Sequence, residues 1–313
     1  MGIKVKDVAF VRFQAPDLDK MEEFLVSFGM VRSARTDDTL YMRGTNDEGF
    51  VHVTHRADQA RVLGWAFEAN EVSDLEHLAA VDGFSEVQEL DGPGGGRVVR
   101  TTAPDGFQME VVAGRGSIGA LPEPTFPRRN EARAYQRKGS PVRLASLSPS
   151  HVKRLGHFVI TVSDYATSAA WYNEHFGLVV SDEVHTDEGK PFGAFFRCDQ
   201  GKAFVDHHTI GIMGSGKAGF GHCAFEVENF DDLMLGNARL AESGYQHDHG
   251  IGRHILGSQI YDYWRDPWGN VVEHWTDGDL FNDETPPNIT DFATLRGDQW
   301  GPTTARDIAA ARA

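Results

Sequence analysis

The apolar and polar positions of this chain repeat. The run Val8-Ala9-Phe10-Val11-Arg12-Phe13 precedes an amphipathic stretch from Asp17 to Phe28 that stops at Gly29. The same order returns later as Gly156 to Val162, then Asp164 to Phe176, then Gly177. In each case the pattern predicts a strand, then a helix ended by a glycine. The echo continues with Met30-Val31-Arg32-Ser33 against Leu178-Val179-Val180-Ser181. Each half then repeats the unit. Trp65-Ala66-Phe67-Glu68 leads into a helix near Val72 to Val81, and Cys223-Ala224-Phe225-Glu226 into one near Asp231 to Ser243. Both halves close on a glycine turn and a strand, ending at Glu110 and Glu273. The pattern predicts an α+β protein of two domains, residues 1–113 and 151–280, each built from two βαβββ modules. Residues 114–150 carry Pro122, Pro124, Pro127, Pro141 and Pro149 without a clear period and read as a linker. Residues 281–313 form a polar tail, with Trp300 as its aromatic anchor, that either drapes over a domain or frays.

The 313 residues suffice for two cores. The net charge of −16 argues against non-specific nucleic-acid binding, which relies on Lys and Arg. No apolar run is long enough to span a bilayer, and Met1 to Lys6 lacks a signal-peptide core. The two cysteines, Cys198 and Cys223, argue against a disulfide framework and fit a reducing compartment. A cytoplasmic protein without membrane contact is expected.

Chemistry concentrates in the second half. His157, His222 and Glu273 each lie in an apolar, strand-like stretch. Two imidazoles and a carboxylate can hold one divalent metal on one face and leave positions open for substrate and oxygen. A lone strand histidine is more often a packed one, so the weight rests on the joint pattern at equivalent positions of successive modules. Glu273 alone says more, because a carboxylate amid Val271, Val272 and Trp275 needs a partner. The internal repeat pairs His157 with Ala9, His222 with Gly64 or Trp65, and Glu273 with Glu110. The first half thus keeps the scaffold without the imidazoles, and is expected to bind no metal.

Here the chain resembles the vicinal oxygen chelate superfamily and, within it, the two-domain type I extradiol ring-cleaving dioxygenases, over about residues 5–280. His207-His208-Thr209, Gly252-Arg253-His254, Tyr263 and Asp266-Pro267-Trp268-Gly269-Asn270-Val271-Val272-Glu273 carry the likeness. The resemblance implies Fe(II), or Mn(II), on His157, His222 and Glu273. It implies His208 as acid–base residue, and His254 and Tyr263 as groups that hydrogen-bond a catecholic substrate. Dioxygen would be the second substrate, both its atoms entering a ring opened beside the two hydroxyls. A homo-oligomer is implied as well.

Strand alternation aims His207 away from His208 and makes it structural. His175, His185, His247, His249 and His274 read as surface or packing residues, and Arg253 as one side of a structural ion pair. Phe192, Phe195 and Phe204 are candidates for the pocket wall. The alternatives are other metal-dependent enzymes of the superfamily, a keto-acid dioxygenase or a glyoxalase-like isomerase, and then a binding protein without metal.

Overall fold

The computed structural model describes residues 2–122, 126, 129–139, 141 and 147–302. Pro124 and Pro127 of the expected linker, and the tail beyond 302, lie outside the described residues.

The first domain runs β1 (Val5–Ala15), α1 (Leu18–Ser27), β2 (Val31–Arg35), β3 (Thr39–Arg43) and β4 (His52–Arg56), then β5 (Arg61–Ala69), α2 (Val72–Ala79), β6 (Gln88–Glu89), β7 (Arg97–Thr102) and β8 (Gln108–Ala113). The second runs β9 (Val152–Val162), α3 (Tyr165–Phe176), β10 (Val179–His185), β11 (Pro191–Arg197), β12 (Val205–Asp206) and β13 (Ile210–Gly214), then β14 (Gly219–Val227), α4 (Phe230–Glu242), β15 (His247–His254), β16 (Ile260–Arg265) and β17 (Val271–Thr276). Apart from the two-residue β12, each domain is a pair of βαβββ units, and the expected α+β architecture is present.

The helices start where the sequence supplies a cap. Asp17 accepts from the amides of Asp19 and Lys20, Asp164 from Thr167, and Asn229 from Asp231 and Asp232. Gly177 ends α3 in the left-handed conformation, at φ 64°, which costs glycine little.

The first sheet has the order β2-β3-β4-β1-β5-β8-β7-β6. Its modules meet where β1 pairs antiparallel with β5. The second sheet repeats this as β10-β11-β13-β9-β14-β17-β16-β15, joined through β9 and β14. The tail extends it. β18 (Leu280–Phe281) pairs with β12, β19 (Asn288–Asp291) adds to β10, α5 (Phe292–Arg296) follows, and β20 (Asp298–Trp300) adds to β15. Over these residues the tail drapes across the second domain.

One large apolar cluster joins the sheets. Phe158 of β9 packs on Trp65 with ring centroids 4.2 Å apart, and Phe28 stacks on His274 at 3.7 Å. His274 also donates from Nε2 to the Phe28 carbonyl at 2.6 Å, so it is the packing residue expected.

The register corrects one pairing between the halves. Ala224 faces His157 in the second domain, and the matching Ala66 faces Phe10 in the first. The counterpart of His157 is therefore Phe10 and not Ala9. Both β1 and β9 carry a bulge at the equivalent place, at Ala9 and at Gly156. Gly156 tolerates the crowding because an added Cβ would lie 2.5 Å from the Trp275 ring. His222 and Gly64 both lie two residues before the matched alanines, which resolves the second pairing.

Candidate metal centre and substrate cavity

β9, β14 and β17 are neighbours in the second sheet and carry His157, His222 and Glu273. One donor atom from each lies within 4.8 Å of the others, and all three residues are buried. Glu273 Oε2 is 3.3 Å from His157 Nε2 and 3.1 Å from His222 Nε2. Among the described residues, both Glu273 oxygens are buried without a partner in hydrogen-bonding geometry. A fully buried carboxylate in that state is costly unless a cation meets it. Burial alone would push its carboxyl up, but the two imidazoles outweigh this and hold it well below the usual carboxylate range. Two imidazole nitrogens and one carboxylate converging on a point suit a divalent first-row metal, and the residues fit one.

The centre opens into a cavity. His208 and the apolar Val159, Phe195, Met213, Leu256 and Leu295 line it. The ring of His208 lies 4.1 Å from that of His157 and 4.6 Å from that of Phe195. Burial, reinforced by His157, pushes His208 well below the ordinary imidazole value. Across the cavity His254 Nε2 and the Tyr263 hydroxyl are 2.9 Å apart, and Tyr263 sits opposite Glu273 in register. The His254 ring stacks on Tyr261 at 4.0 Å. All six residues named from the sequence for metal or catalysis thus lie around one cavity.

Other expectations fare differently. His207 is not turned away from His208; their Nδ1 atoms are 3.0 Å apart. β12 stops at Asp206, so the alternation of a strand no longer governs the next two residues. His249 also lines the cavity, 3.2 Å from the Tyr261 hydroxyl, against the surface or packing role expected of it. Of the three phenylalanines only Phe195 reaches the cavity. Phe192 packs on Phe292, and Phe204 is exposed. Arg253 pairs with Asp277 at 2.5 Å and donates to the Ser258 carbonyl. The tail adds residues to the lining that no motif marked: Leu295, Arg296 and Asp298. Asp298 accepts from the Tyr261 hydroxyl at 2.8 Å and approaches His254 Nδ1 at 3.5 Å.

The first domain fills the matching place with ion pairs. Glu110 pairs with Ala66 as Glu273 does with Ala224, and Arg100 stands opposite it as Tyr263 stands opposite Glu273. Arg12 meets Glu110 at 2.7 Å and Arg100 meets it at 2.7 Å.

Residues 154–274 match the family model described as the Glyoxalase/Bleomycin resistance protein/Dioxygenase superfamily. That match lies in the half of the chain that holds the two-histidine, one-carboxylate centre. Over nearly its whole length it is similar to Metapyrocatechase 2 of Cupriavidus necator, with 26% identity covering 95% of this chain and 89% of that protein. It is also similar to an iron-dependent extradiol dioxygenase of Rhodococcus jostii, with 24% identity covering 90% and 93%. Among solved structures, a Mn(II)-bound glyoxalase from Novosphingobium aromaticivorans superposes with a TM-score of 0.75 and 25% identity, covering 96% of this chain and 92% of that one. Homoprotocatechuate 2,3-dioxygenase from Arthrobacter globiformis superposes with a TM-score of 0.79 and 20% identity, covering 99% and 92%. No helix among the described residues is long and apolar enough to cross a membrane.

Proposed function

We propose that the protein is an iron-dependent extradiol dioxygenase, which cleaves a catecholic ring beside its two hydroxyls with incorporation of both atoms of dioxygen. The observation that carries this reading is the meeting of His208 and the His254–Tyr263 pair with the three-residue centre on one apolar cavity. A simple isomerase would have no evident need for that second polar set.

His157 and His222, through Nε2, and Glu273, through its carboxylate, would hold the metal. Bound there, Fe(II) would supply Lewis acidity toward the diol and a coordination position for dioxygen. The chain's own residues do the rest. His208 takes the proton of the second hydroxyl and returns it later, as a general base and then acid. His254 and Tyr263 hydrogen-bond a substrate oxygen and fix the ring against the centre. Val159, Phe195, Met213, Leu256 and Leu295 pack the ring and keep bulk water out. Arg296 is the only arginine or lysine among the described lining residues, so a ring bearing an anionic group away from the diol would gain a partner there.

The first domain supports the second and binds no metal in this reading. Arg12 and Arg100 supply the positive charge that Glu110 needs. Cys198 and Cys223 are buried and unbridged, which suits a reducing, cytoplasmic setting. A homo-oligomer is proposed on the family resemblance.

The test is anaerobic reconstitution with Fe(II), then aerobic addition of catechol, 3-methylcatechol, 2,3-dihydroxybiphenyl or 2,3-dihydroxybenzoate. Near-UV and visible absorbance and oxygen uptake are followed together. A yellow ring-opened product with one O₂ consumed per ring is expected. Stoichiometric iron with no oxygen uptake on any of the four would overturn the proposal in favour of an isomerase.

A further inference from the structure

His207 and Asp182 have no part in the scheme above, yet both are buried beside it. The His207 ring is 1% exposed. It is walled by Phe195 and Phe281, and by Gly257, where an added Cβ would lie 2.9 Å from Nδ1. Its backbone is pinned as well: its amide donates to Asp279, and its carbonyl accepts from the Ser181 hydroxyl at 2.6 Å. The ring therefore has one position. In that position Nε2 is 2.5 Å from Asp182 Oδ2, and Nδ1 is 3.0 Å from His208 Nδ1. The other oxygen of Asp182, Oδ1, accepts from Asn288 Nδ2 of the tail strand at 2.7 Å.

We infer that Asp182 and His207 are positioning residues that set the proton placement on His208, so that its cavity-side nitrogen is bare and able to act as the base. Only the role of His208 is taken from the dioxygenase reading. An ionised carboxylate only accepts, so His207 Nε2 carries a proton and donates it. In a neutral imidazole the other nitrogen is then a lone pair, so His207 Nδ1 accepts. Two nitrogens 3.0 Å apart share one proton, which His208 must supply from Nδ1. That leaves Nε2, on the far edge of the His208 ring, without a proton. When Nε2 takes one up from substrate, the Nδ1 bond to His207 is unchanged, so both states of the base are accommodated. Burial would raise the Asp182 carboxyl, but the bonds from His207 and Asn288 outweigh it and keep it ionised.

The relay has a polarity, and Asp182→Asn should reverse it. With its carbonyl oxygen still held by Asn288, the substituted amide presents N–H to His207 Nε2. His207 must then carry its proton on Nδ1 and donate to His208, whose proton moves to the cavity side. His207→Gln should preserve the polarity, because the amide can donate to Asp182 while its carbonyl accepts from His208. His207→Leu breaks it.

Two readouts test this. Histidine-selective ¹⁵N NMR of the full chain, loaded with diamagnetic Zn(II), reports the tautomers without any turnover. The expected wild-type result is a proton on His207 Nε2 and on His208 Nδ1, with both inverted in Asp182→Asn. Steady-state kinetics of the Fe(II) enzyme should show kcat reduced about 10²-fold in Asp182→Asn and His207→Leu, with KM and bound iron nearly unchanged, as expected for loss of a general base. His207→Gln should stay within several-fold of wild type. Doubly protonated His207 in the wild type, unaltered tautomers in Asp182→Asn, or His207→Gln as impaired as His207→Leu would each overturn the inference. If Asp182→Asn does not fold, the two His207 variants still decide it. A wild-type protein with the expected tautomers but no ring cleavage would refute the dioxygenase reading and leave the relay standing.

Discussion

Replacing Glu273 by Gln keeps the shape of a fully buried side chain and removes its charge. Among the described residues the carboxylate has no partner in hydrogen-bonding geometry and stands 3.3 and 3.1 Å from two imidazole nitrogens, so a metal ion is its natural complement. A metal that binds the folded chain stabilises it by about 2.7 kcal/mol when its free concentration is 100 times Kd. At roughly 2 °C per kcal/mol for a large chain, the melting temperature should rise on the order of 5 °C with anaerobic Fe(II). In Glu273→Gln both the rise and the stoichiometric iron should vanish, leaving two imidazoles and a neutral amide as a poor site. The assay is thermal unfolding with and without Fe(II), paired with elemental analysis of the desalted protein. The metal-free proteins add a pH arm. The folded Glu273 carboxyl is held below its ordinary 4.5. Its contribution is therefore present above that value and lost as pH falls through the depressed one. Wild type should lose stability over that acid range, and Glu273→Gln should lose less. A variant that still binds one iron and still gains the melting shift would refute the ligand assignment and the argument from burial together.

The other predictions concern the cavity. His208→Phe should keep its iron and lose at least about 10²-fold in kcat, read by product absorbance; full activity would remove His208 from the chemistry. Tyr263→Phe deletes a hydroxyl 2.9 Å from His254 Nε2 and should cost about 1 kcal/mol in kcat/KM, roughly a five- to tenfold loss, with iron retained. Arg296→Met should raise KM for 3,4-dihydroxybenzoate about tenfold while sparing catechol, since a charge-assisted bond contributes about 1.5 kcal/mol or more; equal effects on both would show that Arg296 does not read the substituent.

Much of this was legible in the sequence because both domains use the same unit. The alternation of apolar strands and capped helices set out four modules, and Asp17, Asp164 and Gly177 marked their helix ends in the letters themselves. His157, His222 and Glu273 were visible because strand positions repeat from module to module, whereas His208, His254 and Tyr263 were marked only by the resemblance to the extradiol dioxygenases. What escaped has physical causes. The stretch from helix cap to stop glycine is one residue shorter in Asp17 to Gly29 than in Asp164 to Gly177, so a match set on the glycines paired His157 with Ala9 instead of Phe10. His207 was assigned to the wrong face because the strand before it ends at Asp206. Leu295, Arg296 and Asp298 reach the cavity from a polar stretch without period, placed by edge pairing with β10 and β15, which no local pattern encodes. His249 follows the same logic, since its role depends on Tyr261 across the ladder.

The tail strands also change how the molecule meets its own copies. The first sheet ends in edges that invite little pairing. β6 is two residues long, and Arg32 and Arg35 of β2 are tied to Glu22, with Arg35 also meeting Asp19. The core of the second sheet would end on β10, seven residues including Val179, Val180 and Val184, and on the eight-residue β15. Open strands of that length are templates for strand addition and aggregation. β19 and β20 occupy those ladders and replace them with edges of four and three residues. A chain stopped before Asn288 should therefore form larger species in light scattering, even at concentrations where the full chain keeps a fixed size. The segment that closes the cavity is in this sense a solubility device, and a mutation that loosens it would be felt first as precipitation and only then as altered turnover.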